Sequence, residues 1–180
     1  MLNIVIPEQE LFDDNKNEFI NIKETSLCLE HSLVSISKWE SKWNKPFLSK
    51  DEKTVEETTD YIKCMTITQN VDDRVYKFLS KQNITDINNY IDAPMTATTF
   101  YDTRMNTGHR ETVTSELIYF WMISLNIPME CQRWHLNRLL TLIRICNIKN
   151  DSGKKMSRSE INSRNAALNA ARRKKLNTRG

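Results

Sequence analysis

The chain has 180 residues, of which 39% are hydrophobic and 27% are charged, which suits one ordinary globular domain. Its 3 glycines and 4 prolines are too few for a strand-rich fold with many tight turns or for a glycine-rich phosphate loop. No apolar run approaches the roughly 18 residues of a membrane span, and the first residues do not resemble a secretory signal. We therefore expect a cytoplasmic chain with no membrane partner, whose four cysteines are reduced.

Charge divides the chain into two parts. Residues 151–180 contain nine basic and two acidic side chains, a net charge of +7, so the remaining 150 residues carry −4. We therefore predict a single globular domain over residues 1–150 and a basic C-terminal extension over 151–180. Such an extension is suited to binding nucleic acid, an acidic partner protein, or the acidic face of a homo-oligomer.

The N-terminus has the pattern of short strands. Leu2, Ile4 and Ile6 alternate with other residues, a second short strand is expected around Phe19 to Ile22, and a third through residues 27–29, with a polar turn at 13–17. These segments predict a small antiparallel hairpin or sheet over residues 1–30. A hairpin of this size is marginal alone and needs a helix to cover one face.

Residues 32–43 have apolar side chains at helical spacing, and Lys45-Pro46 ends the pattern. Trp39 and Trp43 lie one turn apart in this helix. Two tryptophans in such an arrangement most often form part of a buried face, which is the favoured interpretation. The alternative is an exposed partner-binding site, since aromatic residues are enriched in both settings.

The middle of the chain predicts further helices. Thr54 and Glu57 form a capping box that begins a helix through Met65. Short helices are predicted from Asn70 and over residues 85–90, followed by a loop over 92–110 with a short extended piece at 96–101. A strongly apolar helix is expected over 111–127, and a second one from Met129 after the break at Pro128. This helical hairpin would be the centre of an α+β fold whose helical part covers residues 32–150.

The basic extension predicts one more helix. Ser157 and Glu160 match a second capping box, and alanines favour a helix from Arg158 to about Leu176. The candidate partner-binding cations here are Arg164, Arg172, Arg173, Lys174, Lys175 and Arg179. No aromatic residue follows Trp134, so the stacking platform typical of single-stranded nucleic-acid binding is missing. A protein partner is therefore favoured over nucleic acid.

No catalytic constellation is recognisable in the sequence. Cys131 and His135 are four residues apart, but no second pair of ligands accompanies them, so a packed thiol and a hydrogen-bonded imidazole are favoured over a metal site. His109 has Glu111 and Glu116 nearby, which does not define an acid–base pair without geometry. P-loop, GxSxG and HExxH motifs are absent. We expect no enzyme activity, no metal and no cofactor.

Three stretches carry a family resemblance: LEHSLVSISKWESKWNKPFL (29–48), IPMECQRWHLNRLLTLIRICNIKN (127–150) and RNAALNAARRKKLNTRG (164–180). With these stretches the chain resembles tailed-bacteriophage proteins from the tail-morphogenesis region, described as tail assembly chaperones or left without a name. The resemblance covers almost the whole chain.

The resemblance implies a small protein of the host cytoplasm that binds the tape measure protein, and in a second role the major tail protein, during assembly of the tail. Binding is then expected through helix faces, including the surface around Trp39 and Trp43, and through the basic extension. Two alternatives stay open. One is a structural virion component, such as a tail completion or connector subunit, and the other is an accessory protein that binds nucleic acid through the extension.

Overall fold

A computed structural model describes residues 1–13, 18–100, 112–152 and 158–176. It has the predicted α+β architecture, with antiparallel strand pairs at the N-terminus followed by helices. The strands are β1 (Leu2–Ile6), β2 (Gln9–Asp13), β3 (Glu18–Ile22) and β4 (Thr25–Leu29). The α-helices are α1 (Leu33–Trp43), α2 (Val55–Met65), α3 (Lys81–Asp92), α4 (Ser115–Ser124), α5 (Leu136–Ser152) and α6 (Arg158–Leu176), and short 3-10 helices cover Asp73–Phe78 and Met129–Arg133.

The chain forms two compact units, Met1–Arg144 and Ile145–Gly180. The first unit contains the strands, α1 to α4 and most of α5. The second contains the last turns of α5 and the whole of α6. The observed division after Arg144 and the predicted one after Asn150 both fall within α5.

The four strands form one long β-hairpin. β1 pairs with β4 and β2 pairs with β3, both antiparallel. In every backbone pair of both ladders the two residue numbers sum to 31, so the register continues from one ladder to the other without a bulge. The ladder is interrupted at Pro7, which has no N–H to donate. The sequence did not predict β2, because its two apolar residues, Leu11 and Phe12, are adjacent and do not alternate.

The inner half of the hairpin packs on the helices. Ile4, Ile6, Leu27 and Leu29 are buried, whereas Val5 is exposed, which is the period-2 pattern of a half-buried sheet. The chain after α2 covers the edge of β4, since the Ile67 N–H donates to the Cys28 carbonyl at 2.8 Å. The hairpin is therefore anchored at its base.

Helix α1 lies at the centre of the first unit and packs on α2 and α4. Its buried face contains Leu33, Ile36 and Trp39, at the spacing of one helical turn. A capping box between Ser32 and Ser35 begins the helix, and a left-handed residue at φ 52°, Asn44, ends it. This helix agrees with the sequence prediction.

Two of the predicted middle helices have different bounds. Asn70 has φ 56°, a left-handed conformation that does not begin a right-handed helix, and a 3-10 helix starts later, at Asp73. α3 begins at Lys81, four residues earlier than predicted, because Ser80 and Asn83 form a capping box there. Residues 96–100 form no strand, and the rest of the predicted extended piece lies outside the described residues.

The predicted helical hairpin is also shorter than expected. α4 begins at Ser115 and ends before Asn126, which has φ 54°; the predicted start at Glu111 lies outside the described residues. The second helix does not run continuously from Met129. A 3-10 helix ends at Arg133, Trp134 is extended, and α5 begins at Leu136.

Candidate partner-binding surfaces

The two tryptophans of α1 have different environments. Trp39 is 1% exposed, and its indole N–H donates to the Glu57 carbonyl at 2.8 Å. Its ring lies edge-on to Phe47, which in turn stacks on Tyr61. Trp39 is thus a core residue, and the folded chain offers no access to its ring for a partner.

Trp43 lies at the end of α1 and is half-buried. Its indole N–H donates to the Asp60 carboxylate at 3.0 Å, and its ring borders a shallow surface groove. The groove is lined by Lys42, Trp43, Val55, Glu56, Thr59, Asp60 and Lys63. Of the predicted pair, Trp43 is therefore the one with surface available.

Carboxylates of α2 tie this helix to α1 and to the turn after it. Asp60 accepts hydrogen bonds from Lys42 and Trp43, and although burial opposes its ionisation, these bonds lower its pKa. Glu57 is buried and accepts from Lys45 at 2.6 Å and from the Thr54 N–H at 2.8 Å, which lowers its pKa as well. The carboxylates of Asp60 and Glu57 are therefore engaged in hydrogen bonds that stabilise the fold.

Glu40 forms a third internal tie. Its two carboxylate oxygens accept from the Phe47 N–H at 2.7 Å and from the Ser115 N–H at 2.8 Å. Ser115 is the first residue of α4, so the negative charge lies at the positive end of that helix. One buried side chain thus joins α1, the turn after it and α4.

A network of histidines and tyrosines lies beneath the base of the hairpin. Nδ1 of His31 is 2.5 Å from the Tyr61 hydroxyl oxygen, and the two histidine rings, His31 and His135, are 5.1 Å apart between centroids. The Tyr90 hydroxyl donates to Glu30 at 2.7 Å. All five side chains are buried.

Burial and the neighbouring His135 lower the pKa of His31 to about 4, and burial lowers the pKa of His135. Nε2 of His135 donates to the Tyr90 carbonyl at 2.9 Å, which leaves Nδ1 to accept from the Asn137 N–H at 3.3 Å. His31 is therefore neutral at pH 7, and the hydrogen bonds of His135 are those of a neutral ring. The two imidazoles contact Tyr61 of α2, Tyr90 of α3 and Asn137 of α5 within the core.

Cys131 is a buried thiol and His135 a hydrogen-bonded imidazole, as the sequence predicts for this pair. Both ring nitrogens of His135 are engaged in hydrogen bonds, so neither presents a free lone pair toward Cys131. Over the described ranges, the structure contains no group of three or more histidine, cysteine or acidic side chains placed to hold a metal ion.

Helix α6 has the opposite character from these buried clusters. It runs over 19 residues, and all its side chains from Ile161 to Leu176 are exposed. Packing of a buried face supplies most of the stability of an ordinary protein helix, and α6 has no buried side chain from residue 161 to residue 176. Its bounds agree with the sequence prediction, while Ser157 of the predicted capping box lies outside the described residues.

Four of the six basic residues of α6 surround its C-terminal end. Arg172, Arg173, Lys174 and Lys175 are consecutive, and successive residues on a helix differ by about 100° in direction, so together they cover the full circumference. Ile161 and Leu168 are seven residues apart and therefore lie on one side. The structure thus brings four of the predicted cations together with a narrow apolar stripe. Arg164 lies a turn after Ile161 on the same helix, and Arg179 lies outside the described residues.

The sequence did not predict a second exposed feature, on α4. The helix is apolar almost all round, and the sequence places it in the core, yet only Ser115, Ile118 and Met122 are buried. Phe120 and Ile123 are 60% and 66% exposed. Because the apolar residues of α4 show no clear periodicity, its sequence does not indicate which face is exposed to solvent.

Comparisons with known proteins add no relative: no family model, no curated protein and no solved structure matches this chain. Within the described part of the chain, none of the helices is long and apolar enough to cross a bilayer. The candidate surfaces therefore rest on the chain's own geometry.

Proposed function

We propose that this chain is an assembly factor of the tail-assembly-chaperone kind, which binds a long helical partner, the tape measure protein, in the host cytoplasm. The observation that carries the proposal is α6: a 19-residue helix with every side chain from 161 to 176 exposed and a ring of four cations at its end. A helix with this exposure gains most from burial against a partner.

The rest of the chain supports a binding role in two ways. The polar groups of the first unit, including Glu40, Glu57 and Asp60, are engaged in contacts that fix its fold. The family resemblance of residues 29–48, 127–150 and 164–180 supplies the biological setting, tail morphogenesis.

The proposal is tested by co-purification of a tagged full-length chain from infected cells, combined with mass spectrometry of finished virions. We expect tape measure protein in the captured fraction and no copy of the chain in the virion. A stoichiometric amount in the virion would instead identify a structural subunit, and capture of nucleic acid alone would identify a nucleic-acid-binding protein.

A matched pair of variants tests the role of α6 in this capture. The first variant replaces the cations at 172–175 by alanine, and the second replaces four exposed cations of the first unit by alanine: Lys50, Lys77, Lys81 and Arg133. Both lose the same charge. Loss of the partner from the first variant and retention by the second is the expected result, whereas equal retention by both would remove α6 from the interaction.

A further inference from the structure

The outer half of the β-hairpin is a strongly acidic part of the first unit, joined to its core through the buried Ile22. We call the strands β2 and β3 with their flanking residues, 8–13 and 18–24, the acidic arm. These residues contain Glu8, Glu10, Asp13, Glu18 and Glu24 against the single cation Lys23, a net charge of −4. The first unit as a whole carries 16 basic and 21 acidic side chains, a net charge of −5. Most of its negative excess therefore lies in the acidic arm.

The acidic arm is a two-stranded pair. Its strands β2 and β3 pair with each other, and neither outer edge is joined to another described strand. A two-stranded pair is marginally stable by itself. The backbone register places Asp13 directly opposite Glu18, so two acidic residues occupy one pair of positions. The excess of acidic residues on this strand pair favours an external cationic element lying along the arm.

Helix α6 has the complementary properties. Its described residues carry six cations and one acid, a net charge of +5, and the whole second unit carries ten basic and two acidic side chains, or +8. Its narrow stripe, Ile161 and Leu168, also matches the apolar content of the arm, where Leu11 pairs with Ile20 and Phe12 with Phe19 in the backbone register.

We infer that α6 of one copy docks on the acidic arm of a second copy, so that the chain self-associates head to tail. Each copy has one arm and one α6, which makes the contact heterologous and yields either a closed ring or an open chain of subunits. The inference concerns this chain alone and does not require the partner proposed above, so either can fail without the other.

The experiment measures the mass of the purified, nuclease-treated full-length chain by sedimentation over a series of concentrations and salt conditions. At about 0.01 M salt, where the screening length is about 30 Å, we expect a mass at least twofold above the 21.2 kDa monomer. At about 1 M salt, where the screening length is about 3 Å, the monomer should return. A monomer at every concentration in low salt would overturn the inference.

Charge reversal identifies the two surfaces. The helix-reversed variant is Arg172→Glu/Arg173→Glu/Lys174→Glu, and the arm-reversed variant is Glu8→Lys/Glu10→Lys/Glu24→Lys, at positions whose side chains are all exposed. Each variant should be monomeric alone because like charges now face each other. An equimolar mixture should recover a mass at least twofold above the monomer, because each reversed surface then meets its complement. A mixture that stays monomeric would exclude the arm as the docking site of α6.

Control variants change the net charge by the same amount elsewhere. These are Lys50→Glu/Lys77→Glu/Lys81→Glu and Asp51→Lys/Glu52→Lys/Asp92→Lys, all at exposed positions of the first unit. Both should self-associate like the original chain. If they become monomeric too, the association depends on overall charge and not on the pairing of α6 with the acidic arm.

Discussion

Charged side chains have opposite roles in the two units. In the first unit, Glu40, Glu57 and Asp60 are buried and accept hydrogen bonds that join separate segments of the chain. In α6 the side chains of the cations at 172–175 lie on the surface and form no ion pair or hydrogen bond with another described residue. A charge removed from the first group should therefore damage the fold, whereas a charge removed from the second should leave the fold intact and weaken binding.

The largest expected effect is that of Glu40→Ala. The substitution leaves the N–H groups of Phe47 and Ser115 without an acceptor, and each unsatisfied buried donor costs about 1–3 kcal/mol. The free energy of unfolding, measured in urea, should fall by about 2–6 kcal/mol, and Glu40→Gln should lose less because one acceptor remains. Arg173→Ala is the surface control and should stay within about 0.5 kcal/mol. Equal effects of the two alanine variants would contradict the distinction between the units.

The same distinction explains which parts of the fold were predictable from sequence. α2 and α6 begin where the sequence predicts, because capping residues and alanine content act within a few neighbouring residues. The start of the 3-10 helix at Asp73 was missed because Asn70 adopts a left-handed conformation, which its sequence context does not specify. The role of Glu40 was equally hidden, since its acceptor contact to Ser115 spans 75 positions of the chain.

The candidate surfaces follow the same pattern. The cations of α6 were identified from the sequence alone, because their clustering does not depend on tertiary contacts. The choice between a buried and an exposed Trp39 required the packing of Phe47 and Tyr61 around it, which is tertiary information. The open apolar face of α4 likewise depends on which neighbours are present.

The second prediction uses pH to separate buried from exposed groups. His31 has its pKa lowered from 6.5 to about 4, so the unfolded chain binds its proton more readily than the folded chain does. Stability should therefore decrease as pH falls from 6.5 toward 4, by about 3 kcal/mol from this group. Urea unfolding at a series of pH values measures the slope, and His31→Gln should flatten it. An unchanged slope in that variant would exclude His31 as the source.

A third prediction compares the two tryptophans. Trp39→Phe removes the donor to the Glu57 carbonyl and leaves a gap in the core, so the free energy of unfolding should fall by about 1–3 kcal/mol. Trp43→Phe removes a half-buried contact to Asp60 and should cost less. Thermal or urea unfolding of both variants gives the order directly. A larger loss for Trp43→Phe would mean that the core is centred closer to the end of α1.

The smallest effect on the whole molecule is expected from Ala170→Gly in α6. Glycine in a helix interior costs about 1 kcal/mol relative to alanine, and since residue 170 is exposed, no packing term adds to it. Amide hydrogen exchange should therefore show about fivefold faster opening of α6, because that free energy corresponds to roughly such a factor. The unfolding midpoint of the first unit should not move. If that midpoint falls together with the protection of α6, the helix is coupled to the core energetically, and its cations would then contribute to folding as well as to binding.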